Sequence, residues 1–203
     1  MHYHCAMNLL AHAYLSFEQP EILVGNMISD YVKGKKQYDY PIGIQHGIRL
    51  HRAIDHFTDQ HMATHIGKQV FKSAVGTYAG AFMDVVYDHF LALDANELSE
   101  IEWQPYTQNV YHHLKENTHY LPEKFALQLP HMITHNWLYH YRNVLAIEKS
   151  FGGLVRRTKY LTDHQPAFAI FEKEYDFLKE QYEAFFPDVK KFAQIELVRL
   201  QNQ

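Results

Sequence analysis

Apolar residues return at spacings of three and four along nearly the whole of this chain, and alternating runs of β-branched residues, the mark of strands, are few. That pattern predicts an all-α fold. Asn8 to Phe17 is apolar enough for a buried helix, and Pro20, placed as a first-turn residue, opens a second helix running to Lys33, with Gly34 as its stop. Pro41 opens a longer helix through Asp59. Further helices are expected over Met62 to Ser73 and Thr77 to Leu93, with an acidic loop from Asp94 to Glu102 after them. Pro105 is expected to begin a helix ending near Tyr120, and Pro122 and Pro130 to divide the next stretch into short pieces. A helix over Trp137 to Ser150 should end at a bend marked by Gly152-Gly153. Pro166 should start an aromatic-rich helix to Phe186, and Pro187 a final one to Leu200.

No fixed repeat or low-complexity linker divides the sequence, and 203 residues suffice for one full-sized core. A single-domain helical bundle over residues 7–203 follows. Residues 1–6 lack the periodicity and are read as an N-terminal extension. A net charge of −4 argues against nucleic-acid binding through overall basicity. The one cysteine, Cys5, excludes an intramolecular disulfide framework and a Cys-rich zinc site. No basic leader precedes an apolar stretch, and no run approaches the roughly 20 apolar residues that span a bilayer. The expectation is a soluble, cytoplasmic protein with no membrane partner; nothing in the pattern fixes an oligomeric state.

The richest stretch for chemistry runs from Gly47 to Asp59, where His51, Asp55 and Asp59 recur every fourth residue. On a helix they project from nearly one face, one turn apart. A second set, Asp84, Asp88 and His89, lies in strongly apolar surroundings. Burying several carboxylates without partners is very unfavourable, whereas a divalent cation satisfies them and keeps them ionised. A solvated acidic face is the competing account, and for one such pair alone it is the stronger; two sets in one small domain favour the metal. His12, in the apolar Leu9 to Tyr14 segment, needs an internal partner, for which a structural hydrogen bond is the simplest explanation. Asp30 has the same ambiguity, with Asn26 one turn before it.

Oxygen-rich coordination with a few imidazoles suits Mn²⁺, Mg²⁺ or Fe. Such an ion can activate water and neutralise a phosphoryl oxygen. Basic residues cluster nearby in sequence: Lys33, Lys35, Lys36, Arg49 and Arg52, with Arg156 and Arg157 later. They are either solvated helix ends or a surface for phosphate or an acidic protein. Phosphate-cradling glycine loops, a dinucleotide fingerprint and a nucleophile elbow are all missing from the sequence, which leaves metal-assisted chemistry.

Four pieces in series carry a resemblance: Met7-Asn8-Leu9-Leu10-Ala11-His12, Gly25-Asn26-Met27-Ile28-Ser29-Asp30-Tyr31-Val32-Lys33-Gly34, Gly47-Ile48-Arg49-Leu50-His51-Arg52-Ala53-Ile54-Asp55 with Thr58-Asp59, and Asp84-Val85-Val86-Tyr87-Asp88-His89-Phe90-Leu91. In order and spacing they resemble the acyl carrier protein phosphodiesterase family, with weaker similarity through Trp137 to Arg142 and Arg156-Arg157. The resemblance implies an α-helical fold related to the HD-domain phosphohydrolases and a divalent-metal-dependent reaction, Mn²⁺ favoured. The implied reaction hydrolyses the phosphodiester joining 4′-phosphopantetheine to a serine of holo acyl carrier protein. It further implies His51, Asp55, Asp84 and Asp88 as metal ligands, with His12, Asp30 and His89 as catalytic or orienting residues. Asp59 and His56 rank below them. Since acyl carrier proteins are acidic, Lys33, Lys35, Lys36, Arg49, Arg52 and Arg156 are the expected substrate-binding rim. HD enzymes place His directly before Asp, and here the adjacent pair is reversed, Asp88-His89. Two other readings remain open at this stage: an HD-like phosphohydrolase of a nucleotide or other small phosphoester, and a non-catalytic helical protein binding an acidic partner.

Overall fold

The computed structural model describes residues 9–203; the N-terminal extension assigned to residues 1–6, Cys5 included, lies outside them. Among the described residues there is no strand, as expected of an all-α chain. The helices are α1 (Leu9–Tyr14), α2 (Pro20–Ile28), α3 (Ile42–Gln60), α4 (Met62–Val75), α5 (Ala79–Leu93), α6 (Glu100–Glu116), α7 (Glu123–Thr134), α8 (Trp137–His140), α9 (Val144–Arg157), α10 (Gln165–Lys173) and α11 (Tyr175–Gln201). Short 3-10 turns follow α2 at Ser29–Tyr31 and precede α3 at Gly34–Asp39. None of the helices is long and apolar enough to cross a membrane.

α5 is the rod around which the rest assembles, packing against α1, α4, α9 and α11. Phe82, Met83, Val85, Val86, Tyr87, Phe90 and Leu91 are all buried along it, so it is covered on nearly every side and its two carboxylates cannot all face water.

Prolines and glycines account for most of the differences from the expected boundaries. α6 begins at Glu100, not at Pro105, because Ser99 and Glu102 form a reciprocal capping box in which the Ser99 amide donates to Glu102 Oε2 at 2.8 Å. Pro130 and Pro187 lie inside α7 and α11 and do not divide them. Across Pro187 the buried face continues through Phe185, Phe186, Val189 and Ala193 onto α3 and α4, and that packing outweighs the hydrogen bond proline forfeits. Gly152-Gly153 passes straight through α9, between buried Phe151 and Leu154.

One contact governs the site. α2 and α3 meet backbone to backbone: a Cβ on Gly25 would stand 2.1 Å from the Ile44 carbonyl oxygen, and one on Gly47 2.2 Å from that of Ile22. Gly47 thus spends helix propensity on a close crossing that brings Asp30, just past α2, against His51 on α3. Gly47→Ala should force the two helices apart and lower stability by about 1–3 kcal/mol, the usual range for overpacking. Denaturant unfolding checks this, and an unchanged midpoint would refute the close packing.

Candidate metal centre

Three segments meet at the site. α3 brings His51 and Asp55 on one face, α1 brings His12, and the turn after α2 brings Asp30. His12 Nε2 donates to Asp55 Oδ1 at 3.1 Å. His51 Nε2 lies 3.3 Å from Asp55 Oδ2 and 3.4 Å from Asp30 Oδ1. The two imidazoles stack, with centroids 3.8 Å apart and planes inclined by 18°. One ligand atom from each of His12, His51 and Asp55 falls within 4.8 Å of the others, close enough to share one ion.

The charges are divided unevenly. Burial acts to lower the His51 pKa, but the carboxylates of Asp55 and Asp30 more than reverse this and push it up to about 10. His12 goes the other way: burial and the His51 charge beside it lower its pKa, only partly offset by Asp55 and Asp30. Burial opposes ionisation of Asp30 and Asp55, yet His51 wins in both, and each stays below the usual carboxylate range. The result is one imidazolium held by two carboxylates, with a neutral imidazole stacked on it. The Nδ1 atoms of both rings are buried without a hydrogen-bond partner.

Asp84 stands to one side, opening onto a small cavity between α1, α3, α5 and α11. Burial raises its pKa well above the ordinary value, and the negative charges of Asp55, Asp59, Asp88 and Asp30 add to the rise. Among the described residues no hydrogen bond or ion pair reaches it. An aspartate so placed is costly as an anion until a cation arrives. The donor set therefore fits a divalent ion: imidazole nitrogens and carboxylate oxygens, with an unpartnered acid beside them and no thiolate.

The structure separates the remaining residues of the sequence reading from this group. Asp88, expected as a ligand, is fully buried and directs its oxygens at α1, where Leu10 N donates to Oδ2 at 3.1 Å and Ala11 N to Oδ1 at 2.8 Å; the Tyr141 hydroxyl adds a third bond. It satisfies amides that the first turn of a helix leaves open, and so fixes the segment that carries His12. His89 points elsewhere as well: Nδ1 donates to the Tyr141 carbonyl at 2.7 Å, so Nε2 accepts from the Tyr175 hydroxyl at 2.8 Å. Both ring nitrogens are committed to tying α5 to Tyr141, just after α8, and to Tyr175 at the start of α11. Asp59 and His56 are exposed on α3.

Lys33, Lys35 and Lys36 are exposed, and no acidic side chain among the described residues pairs with them. Arg52 donates to the Val32 carbonyl at 2.9 Å and to Gln37 Oε1 at 3.1 Å, tying that lysine segment to α3; Arg49 reaches Gln45 Oε1 at 3.3 Å. Arg156 sits on α9, whose packing partners are α5 and α10. Two positioning groups lacked any strong local signal. Asn26, fully buried, donates to the His12 carbonyl at 2.9 Å, and Ser16 Oγ donates to the same oxygen at 2.8 Å.

A family model described as acyl carrier protein phosphodiesterase matches residues 7–189. The chain belongs to this family. Among curated relatives, the acyl carrier protein phosphodiesterase of Photorhabdus laumondii is 28% identical over 189 residues, covering 93% of this chain and 96% of its own. That of Klebsiella pneumoniae subsp. pneumoniae is 28% identical, covering 93% and 98%, and that of Escherichia coli O6:H1 is 26% identical, covering 92% and 97%. No solved structure matches the chain at a significant level. Membership agrees with the resemblance read from the four motif pieces, and the family match ends within α11, after all the site residues.

Proposed function

We propose that this chain is a divalent-metal-dependent phosphodiesterase that cleaves the bond between phosphorus and the serine oxygen of holo acyl carrier protein, giving apo acyl carrier protein and 4′-phosphopantetheine. The observation that carries the reading is the buried convergence of His12, His51 and Asp55 in a member of this family. His12, His51 and Asp55 would hold the ion, with Asp84 turning in as the fourth ligand. Mn²⁺ suits this mixed nitrogen and oxygen set, with Mg²⁺ or Fe as the alternatives. When bound, the ion supplies a water of lowered pKa and neutralises a phosphoryl oxygen.

The chain's own residues do the rest. Asp30 keeps its carboxylate ionised, so it can accept the proton of the attacking water or orient His51. The departing serine oxygen takes up a proton from solvent at the open side of the site. Asp88 and Asn26 hold α1 in place, so that His12 stays aligned without touching substrate; His89 fastens α5 from behind. Lys33, Lys35 and Lys36, beside Arg49 and Arg52, form a basic approach for an acidic carrier protein, to which Arg156 on α9 would add. Lys35→Glu with Lys36→Glu should raise KM for holo acyl carrier protein several-fold and leave kcat nearly unchanged. Unaltered KM in the double variant refutes the approach surface.

Metal uptake should depend on pH with a definite sign. With its pKa at about 10, His51 carries a proton at pH 7 that an ion must displace. Burial and the neighbouring carboxylates shift Asp84 in the same sense, toward its protonated form, and a bound ion would reverse that shift. Affinity for Mn²⁺ should therefore climb as pH rises from 6 to 8, roughly tenfold per unit for each proton released. Calorimetry in buffers of different ionisation enthalpy measures that release, and affinity independent of pH excludes His51 as a ligand.

The decisive experiment is mass analysis of holo acyl carrier protein incubated with the purified protein and Mn²⁺. Loss of the 4′-phosphopantetheine mass is expected. Turnover of nucleotides or other small phosphoesters alone would favour the small-substrate phosphohydrolase. Stoichiometric carrier protein binding without metal or turnover would favour a binding protein.

A further inference from the structure

α1 is six residues long, too short to hold its shape unaided, so the aim of His12 depends on what grips this segment from outside. Asp88 holds its first amides, and Asn26 and Ser16 hold the His12 carbonyl. A third grip acts at its far end. Tyr14 stands two residues after His12 and so about 200° around the helix. Its ring lies among Trp103 and Tyr106 of α6 and Phe186 of α11, at centroid distances of 5.8, 5.8 and 6.0 Å. The Tyr14 hydroxyl donates to Glu97 Oε2 at 2.7 Å. Glu97 sits in the acidic turn between α5 and α6 with its side chain only 12% exposed, and Lys190 of α11 pairs with its carboxylate. The same ammonium lies 5.5 Å from the centre of the Tyr14 ring. The turn is tied to α11 once more by the Tyr182 hydroxyl, which donates to Asp94 Oδ2 at 2.9 Å.

We propose that Glu97, braced by Lys190, is a positioning residue for the metal centre: acting through the Tyr14 hydroxyl, it sets the rotation of α1 about its own axis and so aims His12 at Asp55. This rests on the metal-dependent reading above. Backbone N–H and C=O groups point along a helix, so the bonds from Asp88, Asn26 and Ser16 fix where α1 lies and resist its rotation only weakly. A side chain held on the side away from His12 resists that rotation directly. Contacts between aromatic rings accept a range of tilts, and the three around Tyr14 stand at 43°, 61° and 47°. A charge-assisted hydrogen bond is stricter and pins the oxygen at the end of the ring. Metal ligands must keep within about 0.5 Å and 10–20° of the productive geometry, a tolerance that a small rotation of α1 exhausts at His12. Lys190 keeps the Glu97 carboxylate turned inward; without a counter-ion it would swing out to water.

Tyr14→Phe removes the hydroxyl and keeps the ring, and Glu97→Ala removes its acceptor. Each should weaken Mn²⁺ binding by about 10- to 100-fold, the range for partners that orient a metal ligand, with KM for holo acyl carrier protein unchanged. In the metal-free proteins the ring-proton NMR signals of His12, which stacks 3.8 Å from the His51 ring, should move with the same change of aim. Because Glu97 acts through Tyr14, the double variant should bind Mn²⁺ no more weakly than either single one. Glu97→Gln keeps an acceptor for the hydroxyl and should recover most of the lost affinity. Ile147→Val, a small deletion in the core on α9, should lower Tm without altering Mn²⁺ affinity, which separates aim from general stability. Losses that add in the double variant, or a Tyr14→Phe protein whose Mn²⁺ affinity and His12 signals are those of the unaltered chain, overturn the role of Glu97 and leave the metal reading standing. An unaltered chain that binds no Mn²⁺ overturns both.

Discussion

His51→Ala and Asp55→Ala are expected to lose stoichiometric metal and to lower phosphodiesterase activity by more than the roughly 100-fold that loss of an outer partner costs. The two residues stand one turn apart on α3 with their polar atoms 3.3 Å apart, so each variant removes a third of the converging set. Their effects differ in kind. Without His51, Asp30 and Asp55 lose the imidazolium that keeps both ionised, and the three nearby acids repel one another. Without Asp55, both histidines lose their shared acceptor, and the His51 pKa should fall from about 10 toward ordinary values. Elemental analysis of the purified variants, with an NMR titration of His51, checks both parts. Full metal content and turnover in either variant would remove this group from the reaction.

Asp88→Ala is expected to cost on the order of 3 kcal/mol of stability, because it strands the amides of Leu10 and Ala11 and the Tyr141 hydroxyl in a fully buried place. In a chain of 203 residues that corresponds to a fall in Tm of about 6–12 °C. Because Asp88 fixes the helix bearing His12, activity should fall as well, with metal affinity weakened and not abolished. Thermal unfolding and metal titration together separate this role from that of a ligand. A variant of normal stability that no longer binds metal would make Asp88 a ligand after all.

The two roles could not be told apart in the sequence, and the reason is physical. His51 and Asp55 are four residues apart on one helix, so helical geometry alone puts them side by side. Asp84 and Asp88 have the same spacing, yet they share only part of the site. Asp88 faces amides seventy-seven and seventy-eight residues earlier in the chain, a pairing that no local pattern records. His89 follows Asp88 directly and on a helix points about 100° away, onto Tyr141 and Tyr175. The role of Gly47 was likewise hidden: as a helix residue it looks like a weakness, and only the facing Ile22 carbonyl shows what its missing Cβ permits. The prolines misled for a similar reason, since packing across Pro187 exceeds a local cost that is all the sequence displays.

The sequence by itself determined the helical class and the placing of His51 beside Asp55, because each follows from spacing along a helix, and its residue chemistry is what points to a divalent metal there. Tertiary structure alone decided that His12 joins them from α1, that Asp88 and Asn26 bond to the backbone of that helix, that His89 bonds to Tyr141 and Tyr175, and that a small apolar cavity adjoins Asp84. Those relations depend on which helix faces which. That is set by burial summed over the whole chain, a quantity no short motif contains.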